Sequence, residues 1–161
     1  MKWSIVLILS SVLSLQAIAK EPADEQSWQL QSPDQALKLT ITLEQQALSY
    51  QLNFKNKPVL KPSRLGMAFK DQPPLQAGLK VLKVTPRTSN TSWQPVWGQR
   101  ANIVDHFAEL VVDAVETGNK PRQLQLIFRA YNDGIAFRYH LPAQPHLNKV
   151  TISNELTEFA F

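Results

Sequence analysis

The sequence predicts an all-β domain built as an antiparallel β-sandwich. Apolar and polar residues alternate with a period of two over several separate runs, as strands with one face in a core require. The runs are short, recur at roughly ten-residue spacing and are separated by turn residues, a pattern typical of sandwiches and barrels. Eleven prolines against five glycines, without a long helical periodicity, leave little room for helices.

The chain opens with the features of an export signal. Lys2 supplies a positive start, Ile5–Leu15 a short apolar run, and Ala17-Ile18-Ala19 small residues where a signal peptidase cuts. The run falls short of the ~20 residues a spanning helix needs. Cleavage is expected after Ala19, so residues 1–19 are assigned as signal peptide, 20–26 as a loose leader and 27–161 as one β-sandwich domain. After cleavage the chain is expected to be soluble, outside the membrane and without affinity for nucleic acid.

From Ser27 onward each run reads as a strand. Trp28-Gln29-Leu30 stops at the turn residues Ser32-Pro33-Asp34. Leu37, Leu39, Ile41 and Leu43 alternate with Lys38, Thr40 and Thr42; after the polar break Glu44-Gln45-Gln46, the alternation resumes at Leu48, Tyr50, Leu52 and Phe54. This is an antiparallel meander with one apolar face. Lys55-Asn56-Lys57-Pro58 closes it, and Val59-Leu60 begins a short run toward Pro62. Pro73-Pro74 excludes regular structure. Leu79–Thr85 reads as a strand, and the Ser/Thr/Asn-rich Arg87–Gln94 as a loop carrying Trp93. Val111, Val112 and Val115 make Phe107–Val115 a strand rather than a helix.

The most marked stretch follows. Leu124, Leu126, Phe128 and Ala130 alternate before Asn132-Asp133-Gly134, and Ile135, Phe137, Tyr139 and Leu141 alternate after it. Asp-Gly between two such runs predicts a hairpin with a primed turn. Val150–Ser153 and Phe159–Phe161 are the last strand candidates, so the chain ends within an apolar run.

Composition excludes several function classes. There is no cysteine, hence no disulfide framework or thiolate metal site, which for an exported chain suits a Gram-negative bacterial periplasm. The net charge is +4, and the basic stretch Lys55, Lys57, Lys61, Arg64 and Lys70 is not interleaved with stacking aromatics, unlike a nucleic-acid surface. A solvated face, or one docking on an acidic neighbour, fits it better. The histidines at 106, 140 and 146 lack the spacing of helical zinc motifs. His140 falls on the polar face of its strand, and His106 beside Asp105 in an expected loop. No nucleophile elbow or phosphate loop is present. Glu155 and Glu158, three apart on a strand, point to opposite faces, so they do not form the paired carboxylates of a glycosidase. Glu109 and Asp113 are likewise assigned a structural or solvated place. Trp93, Trp97 and Arg100 are the candidate site residues, offering rings and a cation to a sugar or to another domain. For the tryptophan rings, plugging one end of the sandwich is the favoured reading.

Three blocks in order, SRLGMAF (Ser63–Phe69), SWQPVWGQRANI (Ser92–Ile103) and FRAYNDGIAFRY (Phe128–Tyr139), resemble the amino-terminal domain of glycoside hydrolase family 97. Ser32–Leu39 and Ile152–Phe161 agree with them; Gln99 stands where the family pattern more often has an acidic residue. The resemblance implies a β-super-sandwich that is incomplete at its C-terminal end. It also implies a parent enzyme that is an exported, exo-acting α-glucosidase or α-galactosidase. In such an enzyme the catalytic carboxylates lie on a (β/α)8 barrel beside a calcium ion. The one calcium-ligating glutamate that the amino-terminal domain supplies falls beyond Phe161, so no catalytic or metal residue carries over to this chain. The expectation is a non-catalytic domain without a cofactor of its own, whose partner is the barrel of its parent or of a split-gene product, with α-glucosides or α-galactosides as associated sugars. The alternative is a free-standing periplasmic carbohydrate-binding module or a structural protein.

Overall fold

Alternating runs become strands because each has one apolar face to bury, and in the computed structural model ten of them do so. The structure describes residues 25–99, 101–145, 147 and 149–161. The expected signal peptide, most of the leader, Arg100 and His146 lie outside those residues. The strands are β1 (Gln26–Gln31), β2 (Leu37–Glu44), β3 (Ala47–Phe54), β4 (Lys57–Arg64), β5 (Met67–Phe69), β6 (Leu79–Trp93), β7 (Ile103–Glu116), β8 (Gln123–Ala130), β9 (Ile135–His140) and β10 (Ile152–Glu155). No helix occurs among the described residues.

Two four-stranded antiparallel meanders, β1-β2-β3-β4 and β6-β7-β8-β9, face each other, and β5 pairs with β10 as a short third sheet. The β-sandwich read from the sequence is thus the observed architecture. Leu39, Ile41, Leu48 and Tyr50 from the first meander and Val112, Leu126 and Phe128 from the second are fully or almost fully buried in one core. Tyr50 joins the layers: its ring centroid lies 6.5 Å from that of Phe128 and 5.6 Å from that of Phe137. Every apolar side chain buried in this way contributes about 1.5–3 kcal/mol.

Turn chemistry departs from the expectation in an instructive way. Gln45 and Gln46 (φ 49° and 61°) connect β2 to β3, and Lys55 and Asn56 (φ 48° and 64°) connect β3 to β4. Both turns need positive φ at two central residues, as a two-residue hairpin of matching twist does, yet neither contains glycine. By contrast, Asn132, Asp133 and Gly134 do not adopt positive φ, so the expected primed turn is not formed. Ala130 and Ile135 are the last pair, and a four-residue loop closed by the Tyr131 N–H donating to the Gly134 carbonyl (2.8 Å) spans them. The longer loop lets Asn132 Oδ1 accept the Asp34 N–H at 3.1 Å, tying the β8–β9 loop to the β1–β2 turn of the facing sheet.

Four other expectations need correction. Arg87–Gln94 is not a loop: β6 runs to Trp93, because Thr88–Trp93 pairs residue by residue with Ala108–Ile103 of β7. His106 accordingly stands on strand β7, exposed, not in a loop. Phe54, expected inside, is 41% exposed at the sandwich end, with the Lys55 ammonium 5.2 Å from its ring centre. Phe159–Phe161 forms no regular strand. Instead, Leu156–Phe161 runs antiparallel along β4. The Leu156 N–H donates to the Gly66 carbonyl (2.9 Å), Glu158 N–H to Arg64 carbonyl (2.9 Å) and Lys61 N–H to Ala160 carbonyl (2.7 Å). Side chains complete this seam: Ser63 Oγ accepts the Ala160 N–H, and Glu158 accepts the Arg64 N–H. Gly66 is required here, since a Cβ on it would stand 2.8 Å from Gln76 Cβ and 3.3 Å from Leu156 Cβ.

Candidate functional site

β6 and β7 pair over fourteen positions, but β8 follows β7 only as far as Ala108 opposite Ala130. Beyond that point Thr88–Trp93 and Ile103–Phe107 continue as a two-stranded ribbon that overhangs the β8–β9 loop. Thr91 and Ile103, both β-branched, suit the strand, and Ser and Asn are tolerated because the ribbon has no core to fill. Its tip spans Trp93 to Ile103, the last opposed pair, and the Gln94 amide donates to Asn102 Oδ1 at 3.0 Å across its base. Gly98, at φ 146°, takes the left-handed region that a side chain would strain.

Two of the three sequence-predicted site residues stand on this tip. Trp93 is 54% and Trp97 87% exposed; Val96, between them, and Val104, behind them on β7, are also exposed. The rings therefore do not plug the sandwich. Arg100 belongs to the same loop but lies outside the described residues.

Sequence reasoning missed a second cluster, on the outer face of β6-β7-β8-β9. Phe107, Glu109 and Val111 alternate there and are buried although they face away from the main core. Arg129, directly opposite Glu109, covers the first two: its Nε donates to Glu109 Oε2 at 2.8 Å, and its guanidinium lies 4.2 Å from the Phe107 ring centre. Arg87, on the other flank, approaches Glu109 Oε1 at 3.6 Å. The hydrogen bond to Glu109 is the main cause holding the Arg129 guanidinium above its already high range. A signal existed in the sequence: an acid on a valine-rich strand, with an arginine on the next strand. Arg122 was missed as well. Buried between the Glu116 carboxylate and the Pro73 carbonyl (2.9 Å), and over Phe69, it pins the proline-rich loop to the β7–β8 turn.

The acids weighed for catalysis are all committed elsewhere. Glu109 serves Arg129 and Arg87, while Asp113 accepts the Gln125 amide at 2.7 Å. Glu155 accepts the Thr157 hydroxyl at 2.8 Å. Glu158 meets Arg64 at 2.8 Å, an arrangement that holds its carboxyl below the usual carboxylate range. Arg64, from the basic stretch, thus docks on an acid of its own chain. His140 faces outward as expected, with Nδ1 2.6 Å from Gln125 Oε1. Among the described residues no three histidine or acidic side chains converge to hold a metal.

A sandwich core, an exposed aromatic tip and no converging acids among the described residues are the features with which this chain meets known proteins. The glycosyl-hydrolase 97 N-terminal family matches residues 30–161. The chain belongs to glycoside hydrolase family 97, as its amino-terminal domain. A retaining α-galactosidase of Bacteroides thetaiotaomicron is 29% identical over 98% of this chain, which spans only 21% of that enzyme. A family 97 enzyme of Pseudoalteromonas sp. strain K8, solved in complex with acarbose, is 39% identical and superposes with a TM-score of 0.78. That match covers 82% of this chain and 20% of the enzyme. A β-arabinopyranosidase crystal structure matches at 26% identity and a TM-score of 0.75, over 83% of this chain and 21% of that one. The family 97 chain described here therefore spans about a fifth of its relatives, and their catalytic portion is absent from it.

Proposed function

We propose that this chain is the non-catalytic β-sandwich of an exported, exo-acting α-glycosidase, and that it packs on and supports a catalytic (β/α)8 barrel carried by the rest of that enzyme or by a separate polypeptide. The observation that carries this reading is the correspondence between a family match over residues 30–161 and a span of about a fifth of enzymes in that family. The committed state of Glu109, Asp113, Glu155 and Glu158 supports it, since each of these four carboxylates is already engaged by a partner in its own chain rather than paired across a sugar site. The amino-terminal features Lys2, Ile5–Leu15 and Ala17-Ile18-Ala19 favour export to a periplasm.

Activity complementation tests the reading. The Pseudoalteromonas enzyme, deprived of its own amino-terminal domain, is expressed with and without this chain and assayed on nitrophenyl α-glucoside and α-galactoside. Recovery of hydrolysis only with the chain is expected; no recovery contradicts the proposal.

A second reading rests on Trp97, whose exposed ring resembles a sugar-stacking platform. As a free-standing carbohydrate-binding module, the chain would give a saturable heat signal with maltose, isomaltose or melibiose. Silence with all three, from a folded chain, removes that reading.

A further inference from the structure

We infer that the groove between β8 and β9, on the outer face of the second meander, binds the oxyanion of a small solute, a carboxylate or a phosphate, between the guanidinium groups of Arg129 and Arg138. The site goes beyond the proposed function and does not rest on it. Register, charge and preorganisation each point to it.

The register builds the groove. Arg129 stands opposite Ala136 and Ile127 opposite Arg138, so the two arginines take diagonal places on one face of the strand pair. Diagonal neighbours of this kind lie roughly 7–8 Å apart, a gap that two long side chains can close around one ion. Ala136 is too short to fill the space between them. A groove of about 250 Å³ remains, lined by Ile127 and Ala136 and flanked by Arg129, Tyr131 and Arg138. Whole drug-sized ligands occupy about 300–1,000 Å³, so this space suits an ionic head group.

Charge favours an anion there. Strands β8 and β9 contain no acid, and the acids of this face, Asp105, Glu109 and Asp113, all stand on β7. Each already has a partner. Glu109 meets Arg129 Nε at 2.8 Å through one oxygen and Arg87 at 3.6 Å through the other. Asp113 accepts the Gln125 amide at 2.7 Å, and Asp105 the Tyr131 hydroxyl at 3.4 Å. Arg138 is exposed and forms no ion pair among the described residues. One carboxylate therefore offsets two guanidinium groups while a third stands beside them. Like charges on adjacent strands repel, and an oxyanion between Arg129 and Arg138 replaces that repulsion with charge-assisted hydrogen bonds.

The third argument is preorganisation. Buried Glu109 holds Arg129 by its Nε, and the guanidinium lies 4.2 Å from the Phe107 ring centre. Phe107 is itself packed on Tyr131, with ring centroids 5.4 Å apart. An arginine seated in this way presents its Nη groups with little further ordering on binding, and it stays charged at every working pH.

Calorimetric titration of the full chain with inorganic phosphate, glucuronate and neutral glucose, at one fixed ionic strength, tests the site. Four forms are compared: the native chain, Arg138→Gln, Ala136→Leu and Lys83→Gln. Arg138→Gln removes a donor, whereas Ala136→Leu fills the groove and leaves every charge in place. Lys83→Gln is the control, a cation of the same face that stands on β6 opposite Asp113. All three side chains are exposed, so the unfolding temperatures should match, and if either groove variant fails to fold the other still decides. Saturable binding of phosphate or glucuronate is expected, with none of glucose. Arg138→Gln and Ala136→Leu should each weaken it by roughly tenfold, and Lys83→Gln should leave it unchanged. Binding of phosphate alone assigns the site to phosphate esters, and of glucuronate alone to carboxylates; either supports the inference. No saturable binding of either anion by the native chain overturns it. So does native-like binding by a folded Arg138→Gln or Ala136→Leu. An equal loss in Lys83→Gln would reduce the effect to general charge attraction, and glucose binding as tight as glucuronate would assign the groove to the sugar ring; both contradict the inference.

Discussion

Glu109 shows how a carboxylate on a strand is spent on structure. It is 5% exposed, yet it faces away from the core, with Arg129 and Arg87 opposite it on both neighbouring strands. Removing it leaves two cations over a buried patch. The arginines are partly exposed, so solvent absorbs some of the loss, and Glu109→Ala is expected to destabilise the fold by about 1–3 kcal/mol in chemical denaturation. Equal midpoints for Glu109→Ala and the native chain would refute the pairing. Gly66 is a second such position: Gly66→Ala forces Gln76 or Leu156 to move, at about 1–3 kcal/mol. Acid acts at Glu158. Its carboxyl, lowered by Arg64, contributes stability that is present above the ordinary carboxylate range and lost as pH falls through its depressed value. Hydrogen-exchange protection of Ala160 and Glu158 should therefore drop in acid before that of Leu126, and Glu158→Gln should remove the difference. At the other extreme, burial pushes the Tyr50 and Tyr139 phenols up. The stability they contribute is present below the ordinary tyrosine value of about 10 and lost as pH rises past it.

Among the elements, strands with one buried face were legible and those without one were not. Leu37–Leu43, Leu48–Leu52 and Leu124–Ala130 alternate because burial selects every second side chain, and all three runs sit in the core as read. The distal half of β6 has no core to select apolar residues, so Thr88–Trp93 shows the composition of a loop while pairing as a strand. Asn132-Asp133-Gly134 carries the residues of a primed turn, but a four-residue loop that ties down Asp34 prevails over the local preference. The positive-φ turns fall instead on Gln45-Gln46 and Lys55-Asn56, where the pairing of flanking strands dictates φ. Relief of that conformation by Gln45→Gly is expected to stabilise the chain, by up to about 1 kcal/mol after the added flexibility of the unfolded state is subtracted. An unchanged or lower melting temperature would contradict it. The ribbon, two strands without a covering layer, should exchange its amides at Thr91 and Asp105 well before those of Val112 and Leu126.

For the molecule as a whole, the sandwich, its single core and its family were all legible, because hydrophobic period and turn spacing survive in any sequence that folds this way. The candidate site was legible only in part. Trp93 and Trp97 stood out by type, but their shared place on an overhanging tip follows from the β7–β8 register, which no local pattern encodes. The pairing of Glu109 with Arg129 and of Glu158 with Arg64 likewise joins residues 20 and 94 positions apart. These pairings commit both acids to structure, as the proposed non-catalytic role requires. Steady-state turnover of nitrophenyl α-glucoside and α-galactoside by the purified, folded chain alone tests that most directly. The rate should match the buffer blank at every enzyme concentration; a rate that grows with chain concentration and falls in Glu109→Gln or Glu158→Gln would contradict it.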